Sequence, residues 1–289
     1  MGRAKIRMAA SDIDGTLLRD DATLSRRTIS VLERAAASGV TIVLATGRTR
    51  GTMAGVLAQL PMVRYVIWAN GAAVWDVKEG RRIGENLIPH TLFAPILDVL
   101  CGEDICWHCF ADGVGYVDRQ VGEKLQAFFQ GLDGAGRDFS RDIRHIDHAR
   151  EYILEEVDAA EKFGVITGDR EARQRVWARL EKFPELSVSS ASWYNLEINM
   201  RTATKGGALA MLAGRLGIPK GEIIAFGDNL NDCSLLQAAG IGVAMGNADP
   251  RLLSIADHQA DTNQRDGLAR FLAGALQLPL SEEDIDDFD

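Results

Sequence analysis

The stretch Ala10-Ser11-Asp12-Ile13-Asp14-Gly15-Thr16-Leu17-Leu18 governs how the rest of the chain is interpreted. An apolar run precedes it, so we predict a buried strand over residues 6–13. Alternation along a strand would put Asp12 and Asp14 on one side. At about 4 Å and an effective dielectric near 20, two carboxylates repel by roughly 4 kcal/mol, so the pair needs a cation, a shared proton or open water. Taken alone, it favours a solvated turn at Asp14-Gly15.

Length and composition indicate an ordinary soluble protein. The chain has 289 residues, of which 46% are hydrophobic and 25% charged, which is enough for two domains with separate cores. Its net charge of −9 argues against nucleic acid and anionic membranes as general partners. A small anionic ligand remains compatible with this charge, since a single site can be positive inside an acidic protein.

The N-terminal residues and the cysteines bear on location. No signal-peptide pattern follows Met1, and no apolar run approaches the roughly 18 residues of a membrane span. Cys106 and Cys109 resemble half of a zinc site, but Ile105–Phe110 reads as a strand on which they would face opposite sides. We therefore expect the four cysteines to be reduced and the protein to be cytoplasmic.

The first part of the chain alternates strands with helices. The pattern predicts a helix over Leu24–Ser38, capped by Ser25 and ended by Gly39, between the first strand and a second one over Val40–Ala45. A third strand, Tyr65–Ala69, turns at Asn70-Gly71 into Ala73–Val77. Such alternation predicts an α/β fold, a doubly wound and mostly parallel Rossmann-like sheet covered on both faces.

A segment of different composition interrupts this pattern. Residues 83–192 are dense in charge and predict an inserted α+β domain. Its candidate elements are strands at Ile105–Phe110 and Tyr152–Val157, a helix at Asp169–Lys182, and a glycine-rich loop at Gly131–Gly136.

After this segment the first pattern resumes. Helices are predicted at Leu209–Leu216, Cys233–Ala239 and Asp266–Leu276, with strands at Glu222–Phe226 and Ile241–Met245. We therefore predict two core segments, residues 1–82 and 193–278, around an inserted domain at 83–192, followed by an acidic tail at 279–289.

Polar clusters follow the predicted core strands or open a core helix. They are Asp12 with Asp14, Thr46, Lys205, and Asp228 with Asp232. Since ligands bind at the carboxyl ends of the strands in such sheets, these clusters can converge on one site.

The same clusters carry a family resemblance. Asp12-Ile13-Asp14-Gly15-Thr16, Thr46-Gly47-Arg48, Lys205-Gly206, and Gly227-Asp228 with Asn231-Asp232 resemble, in order and spacing, the four motifs of the haloacid dehalogenase (HAD) superfamily of phosphatases. The chain is similar to the Cof-type branch, subfamily IIB, which carries a C2 cap. This similarity rests on the motif sequences SDIDGTLL, LATGR and GDNLND and on the large insertion.

The resemblance implies a metal site. Four carboxylates against one lysine leave a negative site that a phosphate dianion could not enter unaided, so a divalent cation that prefers oxygen ligands is needed. The expected cofactor is Mg²⁺. The implied ligands are Asp12, the backbone carbonyl of Asp14, Asp228 and, directly or through water, Asp232.

The resemblance also implies a mechanism. Asp12 would attack phosphorus to form an aspartyl-phosphate, and Asp14 would act as general acid and then general base. Thr46 and Lys205 would hold the phosphoryl oxygens. The remaining expected substrate-binding residues are Gly15, Gly47, Arg48 and Asn231. Arg48 and Asn231, like Asn70, Asn247 and Asn263, are turn formers by default whose positions also suit a place in or beside the site, and Asn231 is the strongest of these five candidates.

The expected substrates are small phosphomonoesters, most often sugar phosphates, beneath a lid formed by the insertion. The expected partners are therefore a small phosphorylated metabolite, with no nucleic acid and no membrane, and a monomer or weak homodimer. Two alternatives stay open: a phosphomutase-like transferase, and a regulatory protein that senses a phosphorylated metabolite.

Overall fold

The computed structural model describes residues 5–122, 143–190 and 192–278, with the side chain of Thr52 left out. Two compact units make up the described chain. The first takes in the described parts of Met1–Gly47, Gly55–Glu85 and Thr204–Asp289, and the second those of Arg48–Ala54 and Asn86–Ala203. The predicted loop at Gly131–Gly136 and the acidic tail lie outside the described residues.

The strands and helices follow in chain order. The strands are β1 Met8–Ser11, β2 Thr41–Ala45, β3 Tyr65–Trp68, β4 Ala73–Asp76, β5 Arg81–Glu85, β6 Ile88–Pro89, β7 Cys106–Ala111, β8 Val114–Asp118, β9 Ile143–Ile146, β10 Ala159–Ala160, β11 Lys162–Ile166, β12 Leu186–Ser189, β13 Asn195–Met200, β14 Ile223–Gly227, β15 Ile241–Ala244 and β16 His258–Gln259. The α-helices are α1 Arg26–Ala37, α2 Ala54–Gln59, α3 Phe93–Leu100, α4 Ala149–Glu156, α5 Arg170–Leu180, α6 Lys205–Leu216, α7 Cys233–Ala238, α8 Pro250–Leu253 and α9 Gly267–Leu276.

The first unit is built on one sheet with the order β16-β15-β14-β1-β2-β3-β4-β5. Strands β16 to β3 are parallel, and β4 and β5 are antiparallel to their neighbours. The predicted α/β class with a mostly parallel sheet is therefore confirmed. Strand β1 lies between β2 and β14, where the chain order changes direction, and ligands bind at such a point in this class of sheet.

Both faces of this sheet are covered. On β2, Val43 and Ala45 join a buried cluster that includes Leu209 and Leu212 of α6. The alternate residues Ile42 and Leu44 belong to the layer that contains Leu32 of α1 and Leu268 and Leu272 of α9. The apolar run of β2 thus supplies two cores, which explains why its sequence shows no polar alternation.

Local signals set the ends of several elements. Helix α1 begins after Ser25, whose Oγ accepts a hydrogen bond from the backbone N–H of Thr28 at 3.0 Å. The residue that follows its C-cap, Gly39, has a φ of +93°. The turn between β3 and β4 contains Asn70 with φ 58° and Gly71 with φ +106°, the left-handed conformations that favour these residue types. The predictions for α1 and for this hairpin are confirmed.

The second unit is α+β. Its main sheet has the order β12-β13-β11-β7-β8-β9, and only the β8–β9 pair is parallel. Helices α3, α4 and α5 pack Phe93, Ile153 and Val176 into a core with Phe163 of β11 and Ile198 of β13. Strands β6 and β10 form a separate antiparallel pair.

One predicted strand of this unit is wrong. The sequence predicts a strand over Tyr152–Val157, a segment in which Tyr, Ile and Val favour extended structure. The segment lies almost wholly in helix α4, whose buried residues Ala149 and Ile153 are four positions apart and so share one helical face. Burial on that face overrides the intrinsic preference of the side chains.

The predicted strand at Ile105–Phe110 is confirmed as β7. It turns through Asp112 (φ 51°) and Gly113 (φ +77°) into β8, as expected. Cys109 is buried and Cys106 is partly exposed. No helix of the described ranges has both the length and the apolarity to cross a bilayer.

A buried histidine lies in the second unit. His108 of β7 faces Gly164 of β11, and a Cβ at Gly164 would overlap its imidazole. The imidazole packs edge-on against Phe110 with the ring centroids 5.1 Å apart. Burial, followed by the positive charge of Lys162, lowers the pKa of His108 to about 3, so the folded protein holds the side chain neutral.

We expect the protein to lose stability as the pH falls below about 6.5. His108 takes up a proton near its ordinary pKa of about 6.5 when unfolded and only near 3 when folded. Between these values the unfolded state binds more protons, so this one group lowers the free energy of unfolding by up to about 1.4 kcal/mol per pH unit. Urea denaturation from pH 5 to 7.5 measures the slope.

The control compares two histidines of one unit. His108→Gln should flatten the slope between pH 5 and 6.5, whereas His145→Gln, at an exposed position of β9, should leave it steep. Equal slopes for the two variants would contradict this account.

Candidate active site

Three elements of the first unit converge at the carboxyl end of β1. Asp12 follows β1, Asp228 follows β14, and Lys205 is the first residue of α6. The backbone N–H of Asp12 donates to the carbonyl of Phe226 at 3.0 Å, which continues the pairing of β1 with β14 one residue beyond the strand. The parallel register thus brings the two aspartates side by side, as the sheet topology predicts.

Lys205 links two of the aspartates. Its Nζ donates to Oδ1 of Asp12 and to Oδ1 of Asp232, both at 2.6 Å, and the side chain is 1% exposed. Burial alone would lower the pKa of Lys205, but the charges of Asp12 and Asp232 and their hydrogen bonds raise it above its usual value. The side chain is therefore a buried ammonium. A positive charge is unfavourable at a helix N-terminus, where the helix dipole is also positive. The two carboxylates therefore offset the repulsion between the Lys205 ammonium and the start of α6.

Asp232 organises the loop after β14. Its Oδ2 accepts hydrogen bonds from the backbone N–H groups of Asp228 (3.1 Å) and Asn229 (3.0 Å), while Oδ1 accepts from Lys205. A Cβ at Gly227 would lie 2.7 Å from Cγ of Asp232, so glycine is required for this close approach. Both oxygens of this fully buried carboxylate hold protein groups in place.

Asp228 is held by the loop after β1. Thr16 donates through Oγ1 to Oδ1 of Asp228 at 2.7 Å. Gly15 has a φ of +80°, and a Cβ there would approach the Asp228 carboxylate to 2.5 Å. Burial raises the pKa of Asp228 to about 6, with a further contribution from the charge of Asp232, while the hydrogen bond from Thr16 acts in the opposite direction.

The acidic cluster fits a hard cation. One carboxylate oxygen from each of Asp12, Asp228 and Asp232 lies within 4.8 Å of the others, so the three could hold a metal ion. Burial, followed by the charge of Asp232, raises the pKa of Asp12 well above its usual value, although Lys205 opposes this shift. Burial is the main cause of the raised pKa values of Asp12 and Asp228, and the neighbouring carboxylates add to it. A divalent cation with oxygen ligands would stabilise the ionised carboxylates.

Asp14 does not belong to this cluster. Strand β1 ends at Ser11, so the predicted alternation over residues 6–13 does not extend to Asp12 and Asp14. Asp12 is 6% exposed, whereas Asp14 is exposed to solvent. The carboxylates that the structure brings close together are those of Asp12, Asp228 and Asp232.

The other predicted residues of the first unit lie near the ends of neighbouring strands. Thr46 follows β2 and is 1% exposed; its backbone N–H donates to Ile67 and its carbonyl accepts from Asn70, both at 2.9 Å. The side-chain amide of Asn231 donates to Oδ1 of Asn70 at 3.1 Å. Gly47 ends a segment of the first unit, and Arg48 begins a segment grouped with the second.

Thr16 contacts the candidate site although it is not among the predicted site residues. It lies inside the first motif, so the available signal was its place in that motif rather than its residue type. Its role as donor to Asp228 depends on the fold, because 212 positions separate the two residues in the chain.

Comparisons with known proteins agree with this geometry. A family model of haloacid dehalogenase-like hydrolases matches residues 9–272. Phosphatase YwpJ of Bacillus subtilis (strain 168) is 32% identical over 286 residues, which cover 94% of this chain and 100% of YwpJ. The 5-amino-6-(5-phospho-D-ribitylamino)uracil phosphatase YcsE of the same organism is 32% identical over 265 residues, which cover 92% of this chain and 94% of YcsE.

A solved structure gives the same result for the fold. A haloacid dehalogenase-like hydrolase from B. subtilis matches with a TM-score of 0.79 at 30% identity, covering 92% of this chain and 99% of that chain. The motif residues that meet at the end of β1, the sheet order and these matches lead to one conclusion: the chain is an enzyme of the haloacid dehalogenase-like hydrolase family, in the same Cof-type branch as these phosphatases.

Proposed function

We propose that this enzyme is a magnesium-dependent phosphatase that hydrolyses small phosphomonoesters through an aspartyl-phosphate on Asp12. The observation that carries the proposal is the buried ammonium of Lys205, which contacts Asp12 and Asp232 beside the half-buried Asp228. This arrangement supports the proposal, because a nucleophilic carboxylate, a fixed cation and further acidic groups are all needed at one point.

In the proposed reaction, a carboxylate oxygen of Asp12 attacks phosphorus and the bond from phosphorus to the ester oxygen breaks. Asp14 donates a proton to the departing oxygen. It then takes a proton from the water that attacks the aspartyl-phosphate, which releases phosphate and restores Asp12. The solvent exposure of Asp14 supports this role, since the water of the second step can reach its carboxyl group.

Lys205 has two functions in this proposal. Its ammonium favours the ionised form of Asp12 that the attack requires. It also supplies a fixed positive charge for the phosphoryl oxygens. The hydroxyl of Thr46 would donate a hydrogen bond to the same oxygens. We assign Gly15, Gly47, Arg48 and Asn231 to substrate binding on the family motifs, with the glycines permitting close approach of the backbone.

Asp12, Asp228 and the backbone carbonyl of Asp14 would hold Mg²⁺, with Asp232 acting nearby, directly or through water. When bound, the ion supplies the positive charge that lets a phosphate dianion approach this acidic cluster. Since both carboxylate oxygens of Asp232 already hold protein groups, we propose that Asp232 acts mainly on Lys205 and on the loop after β14.

The second unit is proposed to act as the cap that selects the leaving group and excludes water. It overlaps the predicted insertion, residues 83–192, and takes in β13 as well, which pairs with β11 and β12. Sugar phosphates are the proposed substrates. The name of YcsE, a phosphatase of a phosphorylated ribityl compound, supports this class.

The proposed setting is the cytoplasm, with the protein as a monomer or weak homodimer. A small phosphorylated metabolite is the proposed partner. The net charge of −9 supports the absence of nucleic acid and of anionic membrane from this list.

The test is a panel of sugar phosphates, nucleotides and glycerate-type phosphates, with release of inorganic phosphate as the measurement. We expect release from sugar phosphates with Mg²⁺, and loss of release when EDTA removes the metal. Isomerised sugar phosphate with little free phosphate would indicate a mutase instead. If no compound of the panel released phosphate, the result would contradict the phosphatase proposal and favour a regulatory protein.

A further inference from the structure

The loop after β1 requires precise placement. It carries Asp12 and Asp14, and its next two residues contact Asp228, Gly15 by close approach and Thr16 by a hydrogen bond of 2.7 Å. Asp14 also pairs with Leu18 through a backbone bridge. A displacement of this loop would therefore move the nucleophile, the proposed general acid and a proposed metal ligand relative to one another.

Asn247 contacts this loop from the turn after β15. Its Nδ2 donates to the carbonyl of Gly15 at 2.8 Å, and its Oδ1 accepts from the backbone N–H of Asn263 at 3.0 Å. The two partners fix the orientation of the amide, because a flipped amide would set oxygen against oxygen and N–H against N–H. Neither Asp nor a hydrophobic residue can make both bonds.

Asn263 continues the same chain of contacts. Its Nδ2 donates to the carbonyl of Leu18 and to Oδ1 of Asp20, both at 2.9 Å. The residue is 4% exposed, so the bond to Leu18 satisfies a buried carbonyl. Leu18 is the residue that pairs with Asp14, so Asn263 restrains Asp14 through that pair.

We propose that Asn247, supported by Asn263, is a positioning residue that sets the place of the Asp12–Leu18 loop relative to Asp228. This inference rests on the proposed function for its catalytic consequence, but the restraint on the loop is a property of the fold. Within the described ranges, the side-chain hydrogen bonds of Asn247 go to the carbonyl of Gly15 and to the backbone N–H of Asn263, so it acts on the loop through Gly15.

The experiment uses the full-length chain with Asn247→Ala and Asn247→Asp. Both variants lose the donor to Gly15, while Asp keeps an acceptor for the N–H of Asn263. We expect kcat for phosphate release to fall by about 10- to 100-fold in both, the usual effect of a misplaced catalytic group, with KM changed less than about threefold. Gln259→Ala, an exposed residue of β16, is the control and should keep the wild-type kcat.

Hydrogen–deuterium exchange of peptides that cover residues 13–20 supplies a readout without turnover. Exchange should be faster in both Asn247 variants than in the wild type and in the control. Wild-type kcat in Asn247→Ala, or unchanged exchange in this segment, would overturn the inference. If kcat fell in Asn247→Ala but stayed at the wild-type value in Asn247→Asp, the hydrogen bond to Gly15 would not be the cause, because both variants lose it. If the wild type released no phosphate from any substrate, the proposed function would fail, and the exchange result would still decide whether Asn247 restrains the loop.

Discussion

Replacing Asp12 by asparagine is expected to lower phosphate release by about 10⁴-fold or more, as the loss of a nucleophile typically does. The amide has the shape of the carboxylate but cannot attack phosphorus. It also cannot pair as an anion with Lys205, which lies 2.6 Å from Asp12. The measurement is the single-turnover rate of phosphate release with Mg²⁺ and the preferred substrate of the panel.

The control is Asp158→Asn, an exposed carboxylate of the second unit, which should leave the rate unchanged. Thermal unfolding of both variants checks that they are folded. Binding of the substrate to Asp12→Asn, measured by calorimetry, separates enzyme from sensor: a sensor would keep ligand binding and its regulatory output without turnover. Magnesium-dependent phosphate release at the wild-type rate in Asp12→Asn would rule out the proposed mechanism.

Replacing Lys205 by methionine is expected to lower the free energy of unfolding by about 3–5 kcal/mol, the usual result of removing one partner of a buried ion pair. Asp12 and Asp232, both less than a tenth exposed, would lose the ammonium that contacts them. Phosphate release should also be lost, because the fixed positive charge at the site is removed. Urea denaturation at pH 7.5 measures the first effect.

Two comparisons sharpen this prediction. Lys220→Met, at an exposed position, should change stability by less than about 0.5 kcal/mol. The double variant Lys205→Met with Asp232→Asn should regain part of the lost free energy of unfolding, since one of the two carboxyl groups left without a cationic partner is replaced. The loss should also be smaller at pH 5, because Asp12 and Asp228 already have raised pKa values and take up protons more readily once the ammonium is gone. Equal losses in the two lysine variants would contradict the account.

Much of the fold could be predicted from local signals. The Ser25 cap of α1 and the Asn70-Gly71 turn act over a few neighbouring residues, so they can be read directly from the chain. The error at Tyr152–Val157 arose because strand preference is weak compared with burial of a helical face, here Ala149 and Ile153. The boundary of the second unit depended on the pairing of β13 with β11, which spans about 30 residues of chain and has no local signal.

The candidate site likewise combines residues that local motifs reveal with contacts that depend on the fold. The sequence alone shows which residue types follow each core strand, and the order of the four motifs is specific enough to identify the family. The contacts between these side chains depend on the folded chain: Lys205 reaches Asp12 across 193 positions, Thr16 reaches Asp228 across 212, and Asn247 reaches Gly15 across 232. The folded chain also shows that β1 ends at Ser11 and that Asp14 is exposed whereas Asp12 is buried, so the two carboxylates have different surroundings. The reason is physical. Capping, turn and strand preferences arise from forces between neighbours in the chain, whereas pairing across the sheet depends on parallel register and burial, which exist only once the whole sheet has formed.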